Sequence, residues 1–185
     1  RIGTGEYTDS LALDHITNEV DLLVPHFLKQ NNAYIEFKTK SDNIEALSKY
    51  KPTKNIVISW SLNPKRIIGN EEKGSVSLQK RIAAAKECVK LGYSVAFHFD
   101  PMIHYDGWEA DYESVVDFLF ANISPKNIAW ISMGTLRYHP KLKTEIARKF
   151  PESKIIYDET IIGKDGKVRY FKPLRVKMYK ALKRY

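Results

Sequence analysis

The chain has 185 residues, 43% of them hydrophobic, a formal net charge of +8 and a pI near 9.4. That length and apolar content support one buried core and exclude a wholly disordered chain, and no run reaches the roughly 18–20 apolar residues that span a bilayer, so no membrane partner is expected. Cys88 is the single cysteine, so this chain alone builds no disulfide or cysteine cluster; it reads as a soluble, cytoplasmic protein whose basic excess favours an anionic partner such as DNA or another nucleic acid.

In chain order, short β-rich segments alternate with amphipathic ones. Arg1–Glu6 reads as a strand followed by a helix over about Leu11–Gln30, and Tyr34–Thr39 as a strand followed by a helix over about Asp42–Tyr50. Asn55–Ser61 leads through a polar loop to a helix over Ser77–Leu91, with Ser77 as N-cap and Gly92 as the stop. Cys88 falls on the apolar face of that helix with Leu78, Ile82, Ala85 and Val89, as a packed thiol. Tyr93–Phe99 precedes a helix over about Asp111–Ala121, Asn127–Met133 one over about Pro140–Lys149, and Lys154–Tyr157 a basic helix from about Pro173. Lys164–Lys167 reads as a hairpin or loop turn.

The count is six β–α units, with apolar runs such as Ile56–Trp60 that lack clean alternation, as expected for parallel strands covered on both faces. The fold class is therefore α/β with a parallel sheet. One domain covers residues 1–185, with barrel-like units over about 1–160 and a basic tail and helix over about 161–185. A core strand beginning at residue 1, with no initiating Met, points to a piece of a longer protein.

Function in such folds sits where strands end. The segment Ser94–Trp108 shows this most sharply, since its apolar run ends in His98, Asp100, His104, Tyr105 and Asp106. The other strand ends supply Glu6 and Asp9, Lys38 and Lys40, Ser59, Ser61 and Asn63, Ser132 and Arg137, and Asp158 and Glu159. The glycines of Gly3-Thr-Gly5 allow close approach to a ligand, and the neighbouring Glu6 carboxylate suits an ammonium group. Lys40 suits a carboxylate or phosphate, or a Schiff base. His98, Asp100 and His104 match no strong metal-ligand spacing, and no metal site is assigned. Phosphate-binding, dinucleotide and serine-hydrolase motifs are absent from the sequence. A cofactor-free lyase or aldolase using Lys38 or Lys40, and a basic nucleic-acid-binding module, stay open at this point; the C-terminal lysines and arginines also fit a merely solvated helix face.

A family resemblance is carried by Gly3-Thr-Gly-Glu-Tyr-Thr-Asp9, Lys38-Thr-Lys40, Ser59-Trp-Ser-Leu-Asn63, Lys80-Arg-Ile82, Gly92-Tyr93, Asp100-Pro101, Gly107-Trp-Glu109 and Arg169-Tyr-Phe171. In this order they resemble spore photoproduct lyase and its relatives among the radical S-adenosylmethionine (SAM) enzymes. The resemblance implies an incomplete (β/α)6 TIM-like barrel, SAM, and a 4Fe-4S cluster held by a C-x3-C-x2-C motif that this sequence lacks and that would lie upstream of Arg1. It implies SAM contacts from Gly5, Glu6, Thr8, Lys40, Ser61, Asn63 and Asp100. Two departures accompany it: the family has a small apolar residue at the position of Asp100, and Glu6 stands where lyases proper carry a hydrogen-donating cysteine. The expected parent performs DNA photoproduct repair or a related radical reaction, and the isolated chain is inactive.

Overall fold

A computed structural model describes residues 1–4 and 8–184. Five strands form one parallel sheet in chain order: β1 (Ile2–Thr4), β2 (Ile35–Thr39), β3 (Ile56–Ser61), β4 (Ser94–Met102) and β5 (Ile128–Thr135). Gly3 pairs with Glu36, Glu36 with Val57 and Val57 with Ser94, so the register runs unbroken across the first four strands. Each connection returns to the neighbouring strand, which is the construction of a barrel wall. The α/β class and the incomplete, parallel-stranded barrel hold, with five parallel strands in place of six.

Apolar residues of one parity, Ile35, Phe37, Ile56, Ile58, Trp60, Val95, Phe97 and Phe99, join a single buried cluster with the helices. Glu36, Ser59, Ser61 and His98 have the other parity and occupy the inner face of the sheet. The strands that read as uniformly apolar thus alternate between a packed outer face and a polar inner one.

Helix α4 (Leu78–Leu91) follows local chemistry closely. Ser77 Oγ accepts from the Lys80 N–H at 3.3 Å, and Gly92 ends the helix at φ 97°. A Cβ at Gly92 would lie 3.1 Å from Pro52 Cγ and in a left-handed conformation. Gly92→Ala is therefore expected to cost about 1–2 kcal/mol, read as a lowered urea midpoint with unchanged slope. Helix α5 (Trp108–Asn122) buries Trp108, Tyr112, Val115, Val116 and Leu119, the spacing of one helical face.

Other elements depart from expectation. The long helix over Leu11–Gln30 breaks into α1 (Asp14–Thr17) and α2 (Glu19–Leu28) at Asn18, whose φ is 53°. Buried Asp14 makes the break stable by accepting from the Val20 N–H at 2.9 Å. The helix over Asp42–Tyr50 is only a 3₁₀ turn at Glu45–Lys49, anchored by buried Leu47. Helix α3 (Lys65–Glu71) forms within the segment that read as a polar loop, burying Ile67 and Ile68.

Lys154–Tyr157 is a turn, closed by the Tyr157 N–H on the Lys154 carbonyl at 3.2 Å. Four residues with apolar character do not by themselves separate a strand from a buried turn, and here Ile156 alone enters the core. The chain leaving β5 instead forms β6 (Arg137–Tyr138), which joins β7 (Thr160–Ile162) and β8 (Val168–Tyr170) in an antiparallel sheet. The β7–β8 hairpin turns at 163–167, where a hairpin was expected. In the chain α6 (Lys141–Lys149) lies between β6 and β7, and α7 (Lys172–Leu182) closes the described chain. Met178 and Leu182 of α7 belong to the main core, and Lys177 pairs with Glu109 at 3.0 Å.

Candidate functional site

The loops leaving β1 and β2 meet at the carboxylate of Asp9. Its Oδ1 accepts from the N–H groups of Leu11 and Ala12 and from the Thr39 hydroxyl, and its Oδ2 accepts from the Lys40 N–H at 2.6 Å. Asp9 therefore fixes where the Lys40 side chain leaves the rim. The ammonium of Lys40 pairs with Glu72 Oε1 at 3.0 Å, with its side chain 36% exposed.

Glu72, in the loop after α3, is the hub of this rim. Besides Lys40 it accepts from Asn63 Nδ2 at 2.9 Å and pairs with Arg81 Nη2 at 2.6 Å. Burial pushes its carboxyl up, but the charges of Arg81 and Lys40 and the bonds from Asn63 and Arg81 outweigh that and hold it below the ordinary value. Arg81 is fully buried and also donates to the carbonyls of Ser61 and Val76 and to the Ser75 hydroxyl. Asn63 Oδ1 accepts from the Tyr112 hydroxyl at 2.7 Å, which in turn accepts from the Ile103 N–H.

A second chain of bonds crosses the inner face. His98 Nε2 lies 2.6 Å from Glu36 Oε1, and His98 Nδ1 lies 2.5 Å from Ser132 Oγ. Glu36 Oε2 is 3.5 Å from Arg1, whose guanidinium covers the Trp130 ring. Burial pushes the Glu36 carboxyl up; the His98 bond and charge, with contributions from Ser59 and Arg1, bring it below the ordinary value.

Among the expected site residues, Lys40 and Asn63 are joined through Glu72, and Ser61 is tied to the same hub by its carbonyl's bond to Arg81. Thr8 is exposed at the bend before Asp9. Gly5 and Glu6 lie outside the described residues. Asp100 stands apart from the hub: its carboxylate fills the space over Gly134, where a Cβ would come within 2.6 Å of Oδ1. It lines a cavity of about 180 Å³ with Arg137, Arg169 and Arg175. His104 turns away from His98 to bond Asp158 at 2.5 Å. Among the described residues no group of three or more His, Cys, Asp or Glu side chains is placed to hold a metal.

Residues 1–182 match the family model described as Spore photoproduct lyase. The chain belongs to the spore photoproduct lyase family. It is 28% identical over 155 residues to "Spore photoproduct lyase" of Bacillus subtilis (strain 168), covering 82% of this chain and 45% of that protein. The corresponding protein of Clostridium acetobutylicum is 24% identical over 152 residues, with the same two shares of 82% and 45%. The chain thus spans about half the length of the curated relatives it matches. Among solved structures, spore photoproduct lyase complexed with dinucleoside spore photoproduct superposes with a TM-score of 0.88 at 20% identity, over 99% of this chain and 56% of that one. A mutant lyase with bound AdoMet and dinucleoside spore photoproduct gives the same values. At that identity the structural likeness is one of fold.

Within this family member, sequence reasoning missed Glu72, Arg81, Tyr112 and Glu36 as parts of a site. Arg81 carried a usable signal: it lies on the apolar face of α4 between Leu78 and Ala85, and a buried guanidinium needs a carboxylate partner. Glu36 carried another, as a charge between Ile35 and Phe37 in a strand interior.

Proposed function

We propose that this chain is the SAM-facing part of a radical SAM enzyme of the spore photoproduct lyase type, acting on a DNA photoproduct or a related nucleic-acid substrate. The observation that carries the reading is the Glu72 hub, which holds Lys40 at the C-terminal rim of the parallel strands. An ammonium has three donors, and one on Glu72 leaves two for the carboxylate of SAM. Asn63, 1% exposed, acts by holding Glu72. Ser61 and Asp100 on the inner face, with Thr8, Gly5 and Glu6 after β1, complete the surroundings of the ligand in this reading. When bound, SAM supplies the radical-forming group.

Cys88 does not fit a cluster ligand, being buried in α4 with its thiol pushed up by burial to about 12. The 4Fe-4S cluster of the parent is therefore assigned to cysteines outside these residues, and residues 1–185 alone are expected to be inactive. In this reading residues 1–185 form one barrel domain of a cytoplasmic enzyme. Arg137, Arg169 and Arg175 around one cavity suit an anionic backbone, which supports DNA as the partner. Family membership supports this reading over a cofactor-free aldolase, and the carboxylate beside Lys40 supports ligand binding over Schiff-base chemistry, which needs an uncharged amine.

Calorimetric titration of the full-length protein with SAM tests the assignment. Lys40→Ala is expected to weaken binding by about ten- to a hundredfold, the range for a charge-assisted hydrogen bond. Unchanged affinity, or no binding by the wild type, would remove the reading.

A further inference from the structure

The inner face carries a group of side chains that SAM binding at the rim does not use. Glu36, His98 and Ser132 come from three different strands and form one continuous line of bonds at 2.6 and 2.5 Å. The side chains of His98 and Glu36 are 7% and 5% exposed, and Ser132 at the end of the line is half-buried. Burying a carboxylate and an imidazole costs several kcal/mol unless each is paired. A sheet needing only to be filled would take apolar residues there, as it does on the outer face.

We propose that Glu36, His98 and Ser132 form a proton relay whose terminal group, the Ser132 hydroxyl, exchanges a proton with a carbonyl oxygen of a pyrimidine-type ring held against the inner face. The ring class rests on the function proposed above. A radical centre conjugated to a carbonyl makes that oxygen more basic, so a donor positioned there stabilises the intermediate. In the donating direction, imidazolium His98 passes its Nδ1 proton to Ser132 Oγ while the Ser132 hydroxyl proton moves to the ring oxygen. His98 is left neutral, with Nε2–H donating to ionised Glu36. One proton is transferred, no electron moves, and the reverse sequence restores the starting state. Ser132 is the group that touches substrate; His98 and Glu36 act through it.

The charged and polar groups facing His98 come from every strand around it. Glu36 approaches from β2, and Arg1 lies against Glu36 from the β1 side. Ser59 and Ser61 share the inner face from β3, Ser132 from β5, and Asp100 follows two residues along β4 on the same face. Lys38 lies two residues beyond Glu36 on β2.

Nitrogen-15 NMR of histidine-labelled full-length protein reads the relay without turnover. The ring-nitrogen signals of His98, followed between pH 5 and 9, are expected to report a proton gained or lost, and their course is expected to change in Glu36→Gln, which removes the carboxylate 2.6 Å from Nε2. A ring locked in one protonation state across that range would overturn the proposal, since it could pass no proton. With the cluster-loaded protein, SAM and dinucleoside spore photoproduct as the probe, Ser132→Ala is expected to lower conversion about a hundredfold and remove one limb of the pH profile. Ser132→Thr, which keeps the hydroxyl, is expected to restore that limb. Wild-type conversion and pH profile in Ser132→Ala would sink the relay. A wild type that fails to cleave SAM would sink the proposed function instead, while the NMR titration would still decide the relay.

Discussion

Glu72→Ala is expected to destabilise the fold by about 3–5 kcal/mol, the cost of leaving one member of a buried ion pair without its partner. The stranded group is Arg81, fully buried at the start of α4 and 2.6 Å from Glu72 in the native structure. Its bonds to two carbonyls and a hydroxyl place the guanidinium but supply no compensating charge. Lys40, more than a third exposed, loses its partner with little cost because water replaces it. Chemical denaturation should show a lowered midpoint with an unchanged slope, whereas a loss under 1 kcal/mol would mean that Arg81 finds another anion. The same carboxyl makes stability depend on acid. Its folded value is depressed below the reference of 4.5, so its contribution is complete above about pH 4.5 and is lost as pH falls through the lower folded value. Glu72→Gln should remove that part of the acid transition.

Asp9→Ala is expected to cost about 2–3 kcal/mol, because three backbone N–H groups and a hydroxyl lose one acceptor together. The carboxylate is half-buried, so water rescues some of these donors and keeps the loss below a simple sum. The consequence reaches the rim: with the Lys40 backbone released, the lysine is no longer held at one exit angle. SAM affinity should therefore fall in Asp9→Ala even at temperatures where the variant is folded. Thermal melting and calorimetric SAM titration on the same sample separate the two effects, and a stable variant with unchanged affinity would show that Lys40 needs no support from this loop.

Much of the architecture was legible wherever its cause is local. Ser77 and Gly92 bound α4 through bonds within a few residues, Pro140 starts α6, and Pro173 sits in the first turn of α7. The break at Asn18 was harder, because Asp14 stabilises it with a side-chain bond that a helical pattern conceals. The segment 154–157 misled because its residues suit a strand, while the neighbouring edge is left to β6 and its pairing with β8.

The site divides along the same line. Residue types at the strand ends, Lys40, Ser61, Asn63 and His98 among them, could be placed on one rim from the β–α rhythm, and the family's motifs named most of them. Which of these groups touch one another was decided by register and burial. Glu36 meets His98 from 62 residues away, and Lys40 reaches Glu72 across β3 and α3. A glutamate in a loop looks the same in sequence whether water or Arg81 surrounds it. By itself, then, the sequence determined the parallel α/β class, the helix ends and the polar rim, because these depend on periodicity and capping. Only the tertiary structure decided that Glu72 is a hub and that Glu36, His98 and Ser132 form one line, because strand pairing brings distant charges to hydrogen-bond distance in a place from which water is largely excluded.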